Sequence, residues 1–318
     1  MPDHPKPRDV SPSAATDAPP AAASPIVRRV AAELERWLAE PLAVGLYLVA
    51  TPIGNLGDMT LRALAVLARA DVVYCEDTRH SRMLLTHFGI DRSLRAYHEH
   101  NADAERPRVL GELARGRVIA LISDAGTPLV SDPGFKLVRD AIAAGHHVTC
   151  VPGASSVISA VAVSGLPTDR FHFAGFLPSR EGQRNTRLTE LGSISATLVL
   201  FEAPNRLAAT LADIAEVLGP DREVAVAREL TKRFEEVRRG TAAEVAAWAG
   251  SEPPRGEIVI LVGPPVQREV TDEDIETALA AALPTASLKE AAKLVAAKLG
   301  IPRSRAYETG LRLKGRTS

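Results

Sequence analysis

The stretch VIALISDAGTPLVSDPGFKLVRDAIAAG, residues 118–145, decides the fold class. Val118 to Ser123 is a short apolar run of strand length, and Phe135 to Gly145 spaces its apolar residues as a helix does. Between them, Ser123 to Gly134 holds two glycines, two prolines and two aspartates in twelve residues. A plain strand-to-helix connection needs only about 2–6 residues, so this loop does more than turn the chain. Exposed backbone amides and fixed turns of this kind can grip a polar ligand. A second strand, His147 to Val151, follows at once. Strand, loop, helix and strand in that order form the crossover unit of a parallel sheet.

The pattern repeats in both directions. Upstream come a strand at Leu46 to Ala50, a loop at Thr51 to Asp58, and a helix with Leu61, Leu64, Ala65 and Ala68 on one face, for which Asp58 is the expected cap. Val72 to Cys75 reads as a strand, Thr78 to Phe88 as a helix, and Leu94 to His98 as a short strand. A helix near Asp103 to Arg115 contains Pro107, which limits where it can start. Downstream, a helix at Val157 to Gly165 ends at the break Leu166-Pro-Thr-Asp169. A second alternating set follows, with strands at Phe171 to Phe176, Thr197 to Phe201, Glu223 to Ala227, Glu235 to Arg239 and Glu257 to Val262. Its helices are expected near Arg184 to Gly192 and at Arg206 to Gly219. Beyond Val270 the chain turns helical, at Asp272 to Ala282, Leu288 to Leu299 and Arg303 to Leu313, with Gly300-Ile-Pro between the last two. The expectation is an α/β protein with two tandem α/β domains, 42–168 and 169–265, and a ligand cleft between them. Residues 1–41 are expected to be a disordered tail and a short helix from Ile26 to Glu40. Residues 270–318 are expected to be a basic helical module resembling a helix-turn-helix.

Composition removes several classes of function. Of 318 residues, 46% are hydrophobic and 24% charged, as in a soluble globular chain. No apolar run approaches the roughly 18 residues of a spanning helix, and the Pro- and Ala-rich beginning does not resemble a signal peptide, so a cytoplasmic protein without membrane association is expected. Cys75 and Cys150 cannot build a disulfide framework, and both lie in apolar runs, where buried free thiols are expected. The net charge of −1 says little, but its distribution says more. From Pro284 to Ser318, eight Lys or Arg residues face only Glu290 and Glu308, a local excess of 8 − 2 = +6. Such a segment is either a solvated tail or an electrostatic footprint for phosphate.

Three loops at strand ends stand where open parallel sheets bind ligands. ATPIGNLGD, residues 50–58, lacks both the GxGxxG fingerprint and the Lys-Ser/Thr of a phosphate-binding loop. A nicotinamide dehydrogenase is therefore disfavoured. SDAGTPLVSDPG and VPGASS (151–156) are the other two, and in the last a serine cap at Ser155 or Ser156 would explain one hydroxyl. These segments occur in order with EDTRHSRMLL, HEHN, GLPTDRFHFAGFLP, FEAPNR, ARELTK and RGEIVILVG. Together they resemble the family of 16S ribosomal RNA cytidine 2′-O-methyltransferases, within the tetrapyrrole-methylase-like fold, over roughly Leu42 to Val262. Pro107 and the long N-terminal extension fall outside that pattern.

The resemblance implies a homodimer that holds S-adenosyl-L-methionine between two α/β domains and methylates a ribose of the decoding region in the small ribosomal subunit. It implies that Pro52, Ile53 and Gly54 line the cofactor pocket. Asp124, Ala125, Gly126 and Pro128 would hold the methionine portion, with Ser155 and Ser156 a further contact. Glu202, Ala203, Gly256 and Glu257 would approach the adenosine. A ribose hydroxyl is a poor nucleophile, so a base would help; Glu76 and Asp77 are the candidates, although a charged pair after a strand is commonly a cap or an arginine partner. Arg79 and Arg82 are expected near RNA phosphate or an acidic neighbour. His98, His100, Asn101, Arg228 and Lys232 complete the expected substrate side. The cluster His98 to Asn101 has the composition of a metal site but no further matched ligands, so no metal is expected. Two rival readings remain. A tetrapyrrole-precursor methylase would share the fold, and an RNA-binding assembly factor without catalysis would share the basic tail.

Overall fold

The computed structural model describes residues 24–131, 134–251, 255–265 and 271–316. The expected disordered tail therefore lies almost wholly outside the described residues. The deciding stretch supplies β4 (Val118–Leu121), and its helix is α5 (Phe135–Ala143). Around β4 are β1 (Gly45–Val49), β2 (Val72–Cys75), β3 (Leu94–Ala96) and β5 (Val148–Val151). They form a five-stranded sheet in the order β3-β2-β4-β1-β5, with every pairing parallel. Helices α2 (Leu61–Arg69), α3 (Thr78–His87), α4 (Ala102–Ala114) and α6 (Ser156–Ser164) make the other connections, and α1 (Pro25–Ala39) precedes the sheet. The central strands are apolar on both faces because two cores cover them, one around Val49, Val73 and Ala120, the other around Leu46, Tyr74 and Ile119.

The second sheet comprises β6 (Phe171–Phe176), β7 (Thr197–Glu202), β8 (Glu223–Arg228), β9 (Glu236–Thr241) and β10 (Ile258–Val262), ordered β6-β7-β10-β8-β9. Here only β6 and β7 pair in parallel; β10 runs antiparallel between β7 and β8. Helices α7 (Glu181–Gly192), α8 (Leu207–Leu218) and α9 (Ala242–Ser251) cover one face. The other face packs on α6, where Val157, Ala160 and Val161 meet Val199, Ala225 and Val259. A helix from the first alternating set thus completes the core of the second sheet, and the described residues through Gly263 form one compact unit.

Four local expectations need correction. Helix α2 is capped by Thr60, whose hydroxyl accepts the Ala63 N–H at 3.1 Å; Asp58 instead ends a 3-10 turn, Leu56–Asp58. Helix α4 begins at Ala102, five residues before Pro107, and accommodates the proline inside it. Cys75 is buried, but Cys150 is exposed because β5 is an edge strand whose outer face is uncovered. Helix α9 has no counterpart in the sequence reading. Its alanine-rich run shows little amphipathic contrast, and burial of Ala242, Val245 and Ala249 against β8 and β9 fixes it.

Pro264 onward forms a second unit of α10 (Asp272–Ala282), α11 (Leu288–Leu299) and α12 (Arg303–Arg316). Thr271 with Asp274 and Ser287 with Glu290 form reciprocal capping boxes. Gly300 ends α11 in the left-handed conformation, φ 64°, which a glycine adopts without strain. Ile275, Leu279, Ala292, Val295 and Ala306 are its core. Two of the basic residues counted above are tied down, since Arg305 and Arg312 reach Asp272 at 3.1 and 3.0 Å. The side chains of Lys314 and Arg316 lie outside the described residues. Among the described residues, no helix is long and apolar enough to cross a membrane.

Candidate active site

The three sequence loops meet at the carboxyl ends of β1, β4 and β5. Thr51 and Gly126 exchange backbone hydrogen bonds of 2.9 and 3.0 Å, and the Thr51 hydroxyl donates to the Ser123 carbonyl at 3.1 Å. Thr127 Oγ1 donates to the Ala154 carbonyl at 3.3 Å, tying the second loop to the third. Gly126 has φ 81°, and a Cβ there would sit 3.3 Å from Ile53 Cγ2. Leu129 and Ser131 also hold positive φ, 72° and 65°, which side chains adopt at a cost. The loop from Ser123 to Ser131 is thus a strained structure fixed by its neighbours.

These loops and the strand ends of the second sheet enclose a cavity of about 420 Å³. Ile53, Ala125, Gly126, Ser155, Ser156, Glu202, Ala203, Gly256 and Glu257 all line it, nine of the thirteen expected cofactor residues. Ser155 caps α6, so the first turn of that helix borders the cavity with its unpaired amides. Phe201 and Phe176, edge to face at 5.5 Å, give one apolar wall; Leu230 and Val259 add others. Glu202 is buried and fully engaged, accepting Thr210 Oγ1 at 2.6 Å and the Ala203 N–H at 2.8 Å, with Arg206 Nε at 3.2 Å. Gly256, φ 92°, is required twice over, because a Cβ there would overlap the Glu229 carboxylate. That carboxylate accepts Lys232 Nζ at 2.8 Å and the Glu257 N–H at 3.0 Å, and the lysine hydrogen bond holds it below the usual carboxylate range.

The remaining expected residues fall elsewhere. Pro52, Gly54, Asp124 and Lys232 line a second cavity of about 690 Å³, which shares Ile53, Ala125 and Glu257 with the first. Pro128 is buried and lines neither. Asp77 is the N-cap of α3, with Oδ1 accepting the Arg79 N–H at 2.7 Å, while its own N–H donates to Asp124 Oδ1 at 3.1 Å. Glu76 is half-buried, and burial raises its carboxyl, with the Asp124 carboxylate adding to the rise and His98 opposing it. Arg79 is exposed; Arg82 donates to the Arg92 carbonyl at 3.2 Å. His98 and Asn101 form a local turn, since Asn101 Oδ1 accepts the His98 N–H at 2.8 Å and its amide donates to the Ala96 carbonyl at 3.0 Å. His100 is exposed beside it, its ring 6.1 Å from that of His98. Arg228 pairs with Glu236 at 2.9 Å, and Lys232 bridges Glu229 and Glu257. These cations serve carboxylates of the protein itself. Among the described residues, no group of three or more His, Cys, Asp or Glu side chains is placed to hold a metal.

A cavity of this size lies within the ordinary range for a small-molecule cofactor. It offers helix-end amides for a carboxylate, backbone carbonyls for a cation and apolar walls for a purine. At its rim, Gly256 leaves no room for a Cβ, and Gly126 leaves only a tight one. Residues 45–246, well over half of the chain, match the family profile of tetrapyrrole (corrin/porphyrin) methylases. The chain belongs to the tetrapyrrole methylase family. It is accordingly a methyltransferase, and its methyl donor is S-adenosylmethionine. Residues 269–314 match a second profile, described as the RsmI C-terminal HTH domain. Among this methylase's relatives is ribosomal RNA small subunit methyltransferase I of Mesorhizobium japonicum, 52% identical over 80% of this chain and 89% of that one. The protein of the same name from Pseudomonas aeruginosa is 44% identical, covering 86% and 98%. Solved structures share the methylase fold at low identity. Diphthine synthase superposes with a TM-score of 0.55 at 16% identity, covering 69% of this chain and 89% of that one. Uroporphyrin-III C-methyltransferase of Thermus thermophilus gives 0.51 at 24%, covering 70% and 94%.

The sequence reading missed one wall of the second cavity, formed by His80, Met83 and His87. Their spacing along α3 puts them on one helical face, a signal present in the sequence but hidden by attention to the charged residues Arg79 and Arg82.

Proposed function

We propose that the chain transfers a methyl group to the 2′-hydroxyl of a cytidine ribose in the decoding region of 16S ribosomal RNA. In this reading it acts in the cytoplasm as a homodimer on the small ribosomal subunit, and residues 42–168 and 169–265 are its two α/β domains. One observation carries the reading, the 52% identity over 80% of the chain to a ribosomal RNA small subunit methyltransferase I. A match of residues 269–314 to the RsmI C-terminal HTH domain, over the basic helices α11 and α12, adds support for a nucleic-acid partner.

When bound, S-adenosylmethionine supplies an electrophilic methyl group on a sulfonium sulfur that keeps the bonding pair. Ile53, Ala125, Gly126, Ser155 and Ser156 would hold it from one side, and Glu202, Ala203, Gly256 and Glu257 from the other. The protein's own work is to orient the acceptor, exclude water and take the proton from the hydroxyl oxygen. Glu76 suits that last role better than Asp77. The Asp77 carboxylate is already committed to capping α3, whereas Glu76, which lines neither cavity, caps no helix and has its carboxyl raised by burial, the direction a general base needs.

The test is transfer of a labelled methyl group into small subunits that lack the modification, followed by nuclease digestion and mass spectrometry. Labelled 2′-O-methylcytidine from the decoding region is the expected product. Label on a base, on another nucleotide or on no RNA would overturn the assignment.

A further inference from the structure

The donor cavity leaves open where the acceptor nucleotide is received, and the residues picked for that role from the sequence do not form a pocket. We propose that the second cavity receives the acceptor nucleoside, with His80, Met83 and His87 of α3 as the surface on which its base rests. This deepens the reading of the chain as an RNA methyltransferase and depends on it.

Adjacency is the first argument. Ile53, Ala125 and Glu257 line both cavities, so the two cavities adjoin and ligands placed in them would be neighbours. A direct transfer requires adjoining sites. At about 690 Å³, the second cavity has room for a nucleoside.

Chemistry is the second. Helix α3 buries Ser81 and Leu85 on one side and turns His80, Met83 and His87 to the other. Met83 is 64% exposed and so is open to a ligand in the second cavity. A thioether between two imidazoles offers the polarizable and flat surfaces on which RNA bases stack. Asp124, at the same cavity, adds a carboxylate acceptor for a ribose or base donor. Lys232 is wall rather than phosphate anchor, because its ammonium bridges Glu229 and Glu257 and its stem lies so close over Gly54 that no Cβ fits between. Arg79, next to His80, is exposed, and its guanidinium has no ion pair among the described residues.

Two residues beyond Lys232 in the chain, Phe234 is 65% exposed, and the Arg233 guanidinium stands 5.6 Å from its ring centre. An exposed aromatic ring paired with arginine suits a base on a single strand.

The test uses the full chain and unmodified small subunits, with Met83→Ala, His87→Ala and the conservative Met83→Leu. Donor affinity is measured by calorimetry and methyl transfer by label. Stacking energies set the expected scale, so Met83→Ala should lower kcat/KM for the subunit about tenfold or more. It should leave donor affinity within about twofold, while Met83→Leu should keep most of the activity. The pocket assignment is overturned if the wild type methylates RNA and both alanine variants match it. It is equally overturned if Met83→Ala abolishes donor binding in a folded protein, since Met83 would then belong to the donor site. A wild type that binds donor and labels no RNA would sink the functional reading itself.

Discussion

Gly256 has the Glu229 carboxylate where a side chain would begin, so its backbone and its lack of Cβ are both in use. Gly256→Ala should destabilise the protein by about 2 kcal/mol or more and weaken donor binding, both readable from thermal melts with and without S-adenosylmethionine. Equal ligand-induced shifts in variant and wild type would remove Gly256 from the site. Glu76 makes a different demand. Its folded pKa lies above the unfolded one, so below about pH 4 both states are protonated and the residue costs no stability. Above the folded pKa it is ionised, half-buried and beside Asp124, and the fold is weakened. Glu76→Gln should therefore raise Tm at pH 8 and leave it unchanged near pH 4. If Glu76 is the base, the same variant should lose about 100-fold or more in kcat, and wild-type activity should climb as pH rises through the raised pKa. A more stable variant with full activity would leave Glu76 a strained bystander.

At the scale of elements, caps and turns decide more than the apolar pattern does. Thr60→Ala removes the hydroxyl that receives the Ala63 amide and should cost about 1 kcal/mol in denaturant unfolding; Asp58→Ala, once the expected cap, should cost less. The strands and most helices were legible because two-sided burial leaves unbroken runs such as Val72–Cys75, and because punctuation such as Gly300-Ile-Pro is local. Helix α9 was not, since an alanine-rich run takes its conformation from what packs on it. Nor was the antiparallel place of β10, which depends on pairing with strands far away in sequence. That nine of the expected cofactor residues gather around one cavity was legible through loop motifs. The split of Pro52, Gly54 and Asp124 into the neighbouring cavity was not, because a motif does not say which of two adjoining hollows a side chain meets.

The whole molecule consists of two compact units, and the cavity proposed for the donor is lined entirely from the first. Removing Pro264 to Ser318 should leave donor affinity within about twofold while weakening RNA binding and flattening its salt dependence. Titration with RNA at several salt concentrations reads both effects; an unchanged slope would make the basic helices a structural appendage. Their charge is smaller than the sequence count suggests. Asp272 already engages Arg305 and Arg312, whose guanidinium hydrogen bonds hold its carboxyl below the usual range. That contribution to the helical unit is present above the ordinary carboxylate pKa and disappears only as pH falls through the lowered one.

Helix α6 has a consequence of its own. It begins at the first cavity, yet its flank is buried in the core beneath the second sheet. Ile53, from the loop after β1, packs into that same core, so parting the two sheets like the halves of a hinge would pull it out, and a ligand is expected to enter past loops rather than through an opening jaw. Cooperativity should bear the mark of this. The first 263 residues should melt in one calorimetric transition, and bound donor should slow amide exchange in strands of both sheets together, including β10.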